Sequence, residues 1–121
     1  MVSAKEIGRI AEGHARQHIL GLGYKILDTN WYYGHLELDI IAQEGNQLVV
    51  VEVKSRNGIR YEHPSEAITN AKIRNIVEAT EAYIFEKDLH MDTRFDVITV
   101  IFFKDNKFEL EHFPDAFYPT L

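Results

Sequence analysis

Hydrophobic positions along the chain recur at helical spacing in two segments. The first helix is predicted to begin at Ser3, because Ser3 and Glu6 have the spacing of a capping box, and to end near Gly21. The second is predicted to begin around positions 64 and 65, where Pro and Ser are typical of a helix start, and to continue to about Phe85. Both segments are long enough to cover one face of a sheet.

The intervening segments have the composition and alternation of β-strands. These segments read YKILDTNWYY, HLELDIIA, QLVVVEVKSR, RFDVITVIFF and KFELEHF. Asp105-Asn106 is predicted to form the turn between the last two, and the tail from Pro114 is expected to be irregular. The order is therefore α-β-β-β-α-β-β, which predicts an α/β fold with a mixed sheet flanked by helices, in one domain over residues 1–121.

Charged side chains interrupt the second and third predicted strands. The dipeptide Gly45-Asn46 is typical of a hairpin turn, and a turn there makes facing residue numbers sum to 91. In this register Asp39 faces Glu52, and Glu37 faces Lys54. Because side chains alternate along a strand, all four charged groups are predicted to lie on one face of the hairpin.

The other face of the same hairpin is predicted to be buried. It would carry Leu36, Leu38, Ile40, Ala42, Val49, Val51 and Val53. Apolar residues also occur between the charged ones, at Ile41, Leu48 and Val50. Both faces of these strands are therefore expected to be covered, which places the strands in the centre of the sheet.

Two facing carboxylates repel each other unless they share a proton or bind a cation. A divalent ion such as Mg²⁺ or Mn²⁺ removes the conflict between Asp39 and Glu52 directly, since it prefers carboxylate oxygens. Lys54 would then orient a water molecule or stabilise negative charge beside the metal. The pair Glu37–Lys54, taken alone, is most often a simple cross-strand ion pair.

Composition limits the remaining function classes. The chain has no cysteine and no apolar signal segment at its N-terminus, which predicts an intracellular, cytoplasmic protein without disulfides or thiolate metal sites. Its formal net charge of −6 opposes non-specific binding of nucleic acid. A local cluster of basic residues nevertheless predicts a phosphate-binding surface, with an ordinary solvated surface as the alternative: Lys54, Arg56, Arg60, Lys72 and Arg74.

Other polar residues have weaker indications of a site. His14 and His18 have a spacing that can bind metal, but no HExxH arrangement surrounds them, so we expect packing roles. Arg94 and Asp96 are two apart on a strand and are expected to form a structural ion pair. The aromatic segment Trp31–Tyr33 is consistent with either base stacking or packing.

Asp39 followed by a hairpin and the EVK segment at 52–54 resembles the motif of the PD-(D/E)XK nuclease superfamily. Five further segments, GRIAEGHA, GYKILDTNW, ELDIIA, VVEVKSR and RFDVI, resemble the YraN-type UPF0102 family in the same order and over nearly the whole chain. One departure is Leu36, which stands where the family usually has glycine before the Glu-x-Asp segment.

The resemblance implies a restriction-endonuclease-like fold, similar to archaeal Holliday-junction resolvases. It implies that Glu12 on the first helix joins Asp39, Glu52 and Lys54 in a Mg²⁺- or Mn²⁺-dependent site. Glu37 is expected to pair with Lys54 or to extend the acidic group. The expected function is endonucleolytic hydrolysis of DNA, in particular branched DNA, by a homodimer. The alternative is a catalytically inactive module of the same fold that binds nucleic acid or a protein partner.

Overall fold

The computed structural model describes residues 2–58, 63 and 66–119. Its elements follow the predicted order: α1 (Ala4–Gly21), β1 (Lys25–Tyr33), β2 (Leu36–Glu44), β3 (Gln47–Asn57), α2 (Asn70–Lys87), β4 (Asp92–Phe102) and β5 (Phe108–Phe117). A short 3₁₀ helix, Lys104–Asn106, forms the turn that was predicted between the last two strands. The predicted α/β class is therefore confirmed.

The five strands form one mixed sheet in the order β1-β2-β3-β4-β5. All neighbouring pairs are antiparallel except β3 and β4, which run parallel because α2 crosses over between them. The strands β2 and β3 are interior, as predicted from the apolar residues on both of their faces. Neither α1 nor α2, the helices of the described residues, is long and apolar enough to span a bilayer.

The helices cover opposite faces of the sheet. On one face, α1 buries a row of small and apolar residues, Ala11, Ala15 and Ile19. Its start is as predicted, since the Ser3 hydroxyl accepts a hydrogen bond of 3.1 Å from the Glu6 N–H. On the other face, α2 packs through residues that include Ile73 and Ile76.

The start of α2 differs from the prediction. The helix begins at Asn70, and Thr69 is its N-cap, with its hydroxyl accepting a 3.1 Å hydrogen bond from the Lys72 N–H. The positions around 64 and 65 that were predicted to start it lie outside the described residues. Thr69 directly precedes the first helical turn, and its hydroxyl satisfies a backbone donor that the helix leaves unpaired.

The last strand also differs from the prediction, because it continues through Pro114 to Phe117. Proline lacks the N–H that a central strand would use, but β5 is an edge strand with a partner on one side only. The pairing with β4 shifts register between Phe95 and Val97, opposite this part of β5. An edge position and a local irregularity together accommodate the proline.

The hairpin register is confirmed from Glu44 and Gln47 at the turn to Ile40 and Val51. The predicted buried face is wrong in part. Ile40 and Ala42 pack with α1, together with Val49, Val51 and Val53. Leu36 and Leu38 instead pack in the α2-side cluster. Side-chain alternation along β2 therefore slips by one residue around Asp39.

Candidate functional site

The slip in β2 coincides with the end of its pairing to β3. Beyond the last paired residues, Ile40 and Val51, the Asp39 carboxylate accepts a hydrogen bond of 2.9 Å from the backbone N–H of Val53. A side chain thus occupies a position that a backbone carbonyl would otherwise take. The arrangement directs Asp39 into the gap where the two central strands stop pairing.

Three carboxylates converge on the α1 side of this gap. Ligand oxygens of Glu12, Glu37 and Asp39 all lie within 4.8 Å of one another. Glu12 comes from α1, as the resemblance implied, and its carboxylate accepts a hydrogen bond of 2.9 Å from the Asn30 amide. Asn30 has a left-handed backbone with φ of 47°, a conformation that asparagine tolerates better than most residues. We call these three residues the carboxylate cluster.

Glu52 lies next to the carboxylate cluster and faces α2. It is 5% exposed, and its Oε1 atom is 3.9 Å from the Lys54 ammonium and 3.6 Å from the Lys72 ammonium. The predicted pair of Glu37 and Lys54 is wrong, and so is the placement of all four charges on one face. Because β2 slips at Asp39, Glu37 turns toward α1 and extends the acidic group there.

Asp39 lies between the two glutamates of the carboxylate cluster on the α1 side and Glu52 on the α2 side. Burial raises its pKa to about 9, and the neighbouring Glu52 acts in the same direction, while the Val53 N–H opposes the shift. Burial raises the pKa of Glu52 as well, although Lys72 and Lys54 oppose this. At neutral pH, the Asp39 carboxyl therefore retains a proton unless a cation compensates the acidic surroundings.

The residues present fit a divalent cation. Within the described part of the chain, the carboxylate cluster is the only group of at least three His, Cys, Asp or Glu residues with such close ligand atoms. All of its donors are carboxylate oxygens, the type that Mg²⁺ and Mn²⁺ prefer. Asp39 is only 7% exposed, so the like charges around it are poorly screened by water. Asp39 and the neighbouring Glu52 are the residues that could hold such an ion, with Glu12 completing the site.

A cavity of about 750 Å³ opens beside the carboxylate cluster along α1. Glu12 and Glu37 line it, together with three basic residues of α1, Lys5, Arg9 and Arg16. These basic residues were not among the predicted phosphate contacts. Their spacing from Glu12 could have indicated them, since residues three, four and seven apart lie on the same side of a helix.

The basic residues that were predicted to form one phosphate-binding surface lie in separate places. Lys54 and Lys72 contact Glu52 in the site, whereas Arg74 is exposed on α2. Arg56 is exposed and lines a separate cavity with Ala4 and Ile7 of α1. Arg60 lies outside the described residues.

A second buried aspartate lies away from this site. Asp96 is 0% exposed and accepts two hydrogen bonds from Arg94, at 2.9 and 3.0 Å, so the predicted structural ion pair is confirmed. His112 lies 2.7 Å from the same carboxylate, and its other ring nitrogen lies 3.0 Å from His18. We call these four residues the Asp96 network.

The two helical histidines have separate partners, in agreement with packing roles. His18 belongs to the Asp96 network, and His14 stacks on Phe108 with ring centroids 3.7 Å apart. Trp31 packs edge-on against Tyr83 at 5.1 Å, whereas Tyr32 and Tyr33 are exposed. Within the aromatic segment, Trp31 therefore has a packing role, and the two tyrosines are accessible at the surface.

Comparison with known proteins identifies relatives over the whole chain. Residues 11–100 match the model of the uncharacterised protein family UPF0102. A UPF0102 protein of Phocaeicola vulgatus is 39% identical and covers 100% of this chain and 99% of its own length. One from Flavobacterium psychrophilum is 41% identical, with 98% of each chain covered. One from Bacteroides thetaiotaomicron is 40% identical over 100% of this chain and 99% of the relative.

Proposed function

The chain belongs to the UPF0102 family, and we propose that it is a metal-dependent endonuclease of the PD-(D/E)XK superfamily that hydrolyses phosphodiester bonds in DNA. Branched DNA is the substrate that the resemblance to junction resolvases favours. The bound ion, Mg²⁺ or Mn²⁺, would supply Lewis-acid activation of water and of the scissile phosphate. The remaining roles belong to residues of this chain.

The observation that supports this proposal most is the meeting of the carboxylate cluster with Glu52 at the end of the β2–β3 ladder. Four carboxylates from three elements approach one another where Asp39 is buried and its pKa is raised to about 9. Such an arrangement destabilises the fold when no cation is present. A site that is unfavourable without a ligand indicates a ligand of opposite charge.

The residues divide into distinct roles. Asp39 and Glu52 would hold the metal, and Glu12 would complete the site directly or through water. Lys54 is positioned beside Glu52 and carries three N–H donors, enough to contact Glu52 and an attacking water or a phosphate oxygen together. Glu37 would extend the acidic group; it faces Tyr32 across β1 and β2 and raises the pKa of that tyrosine.

Basic residues on both helices would contact the DNA backbone. Lys5, Arg9 and Arg16 line the cavity that also contains Glu12, so a phosphate chain lying there would pass the carboxylate cluster. On the other side, Lys72 and Arg74 of α2 are the candidate contacts, with Arg56 at the end of β3. Because these contacts are electrostatic, DNA affinity should fall steeply as salt concentration rises.

A cleavage assay tests the proposal. Labelled four-way junctions, flaps and single strands are incubated with the protein in Mn²⁺, in Mg²⁺ or in EDTA. Wild type should cleave at least one substrate in metal only. The variants Asp39→Asn, Glu52→Gln and Lys54→Met should each lose at least about 100-fold in rate, as expected for groups that act on the reacting atoms.

Asp92→Asn is the matched control, because it makes the same change at an exposed position at the start of β4. It should retain the activity of wild type after identical purification, and the loss of activity in Asp39→Asn purified in the same way then excludes a contaminating nuclease. Cleavage that persists in Asp39→Asn would contradict the proposal. Salt-sensitive DNA binding without any cleavage would favour the inactive binding module instead.

A further inference from the structure

Exposed aromatic side chains form a groove on the α2 side of the sheet, beyond Tyr83. Phe85 of α2 is 88% exposed, and Tyr33 at the end of β1 is 50% exposed. Together with Trp31 and Tyr32 they line one cavity of about 670 Å³. We call this surface the aromatic groove. Contiguous exposed aromatic residues are typical of protein interaction sites.

The rim of the aromatic groove is acidic. Glu78, Glu81 and Glu86 all line it from α2, and all are exposed. The adjacent cation, Lys87, is in an ion pair with Glu86 at 3.6 Å. The rim therefore attracts positively charged groups and opposes the approach of a phosphate backbone.

The charge distribution along α2 is unfavourable for the helix itself. Lys72 lies in the first turn and Glu86 in the last, so each lies at the end where its charge opposes the helix macrodipole, although Lys87 has the favourable placement. Helix stability thus does not explain the acidic C-terminal half of α2.

We propose that the aromatic groove binds a basic segment of another protein, with a large apolar side chain seated against Phe85 and Tyr33 and with lysines or arginines on the glutamate rim. Tyr32 lines both the aromatic groove and the cavity of Glu12 and Glu37. A bound partner would therefore contact the tyrosine that faces Glu37 across β1 and β2. The surface would place the partner next to the carboxylate cluster, on a side that DNA avoids.

Selection from a phage-displayed library of short random peptides tests this surface. Wild type is the bait, and the variant Phe85→Ser is used for counter-selection. Enriched peptides should be basic and should contain a large apolar residue. A synthesised peptide should lose about tenfold or more in affinity on Phe85→Ser, as expected for the loss of a central apolar contact. It should also lose affinity on Glu81→Lys and at raised salt.

The control is Tyr118→Ser, which removes an aromatic ring that is 67% exposed and lies outside the aromatic groove. It should leave the peptide affinity unchanged. Absence of enrichment, enrichment of acidic peptides, or binding that is insensitive to Phe85→Ser would overturn the proposal. A dimer in sedimentation that Phe85→Ser dissociates would also overturn it, because the groove would then bind a second copy of this chain.

Discussion

Asp39 and Asp96 are both buried in the same sheet, and their surroundings are opposite. Asp96 meets cationic and polar donors: two N–H groups of Arg94, the His112 ring and the backbone N–H of Asp115. Asp39 meets the N–H of Val53 and otherwise other carboxylates. One aspartate has its charge compensated within the fold, whereas the other does not.

The two pKa values show the same contrast. Burial opposes ionisation of Asp96, but hydrogen bonds from His112, Arg94 and Asp115 outweigh it and lower the pKa of Asp96 below its usual range. For Asp39, burial and Glu52 raise the pKa to about 9. A buried aspartate is therefore a candidate for function when its compensating charge is absent from the fold, and a structural element when that charge is present.

The largest expected effect comes from the same substitution at the two positions. Asp96→Asn should destabilise the fold by about 3–5 kcal/mol, since it removes the buried counter-charge of the largely buried Arg94 and leaves it only the more exposed Glu44. Asp39→Asn should leave the stability in EDTA unchanged or increased, because the amide oxygen can still accept from Val53 and the amide avoids the cost of keeping a buried carboxyl protonated at neutral pH. Urea unfolding of both variants measures the difference. A large loss in Asp39→Asn would make Asp39 structural as well.

Metal addition should stabilise wild type and should depend on Asp39. At a concentration about 100 times Kd, an ion that binds only the folded protein adds roughly 2.7 kcal/mol. For a domain of this size that corresponds to a melting shift on the order of ten degrees. Thermal unfolding with Mn²⁺ and Mg²⁺ measures the shift, which Asp92→Asn should keep and Asp39→Asn should lose. If millimolar metal does not shift the melting temperature of wild type, that result would contradict the proposed metal site at Asp39 and Glu52.

The pH dependence of stability should have opposite signs at the two aspartates. Asp39 has a folded pKa of about 9, above the ordinary value of 3.8, so the folded state holds the extra proton between those values. In EDTA, its contribution to the free energy of unfolding should fall as pH rises from about 4 to about 9, by less than about 1.36 kcal/mol per pH unit. Asp96 has a lowered pKa, so its contribution is lost as pH falls through the folded pKa.

The difference in unfolding free energy between wild type and Asp39→Asn isolates the first of these contributions. Urea titrations in EDTA at several pH values between those limits provide it. The expected curve declines toward alkaline pH. A flat curve would mean that Asp39 is ionised in the folded protein across the whole range.

The smallest expected effect comes from Lys72. Its side chain is 36% exposed and contacts Glu52 at 3.6 Å, unlike Arg94, which is 14% exposed and binds Asp96 through two nitrogens. Lys72→Met should therefore change stability by less than about 1 kcal/mol, and the change should shrink at high salt. Urea unfolding at low and high salt checks this. A loss as large as that of Asp96→Asn would place Lys72 among the structural cations.

Local signals in the sequence were sufficient for the order of elements and for one part of the register. Ser3 and Glu6 marked the start of α1, and Gly45 permitted the turn that aligns Glu44 with Gln47. These features depend on short-range chemistry, such as caps, turn conformations and alternation. The start of α2 was predicted too early, at the Pro and Ser of positions 64 and 65, whereas the helix begins at Asn70 with Thr69 as its N-cap.

The sequence by itself determined which residue types are available at the candidate site, namely Asp39, Glu52 and Lys54 on neighbouring strands. Only the tertiary structure decided how they are arranged. The slip at Asp39 turns Glu37 toward Glu12, and the crossover helix brings Lys72 to Glu52, two contacts between distant segments. Strict alternation predicts neither of them, because the Asp39 side chain takes the place of a ladder hydrogen bond and breaks the period of two.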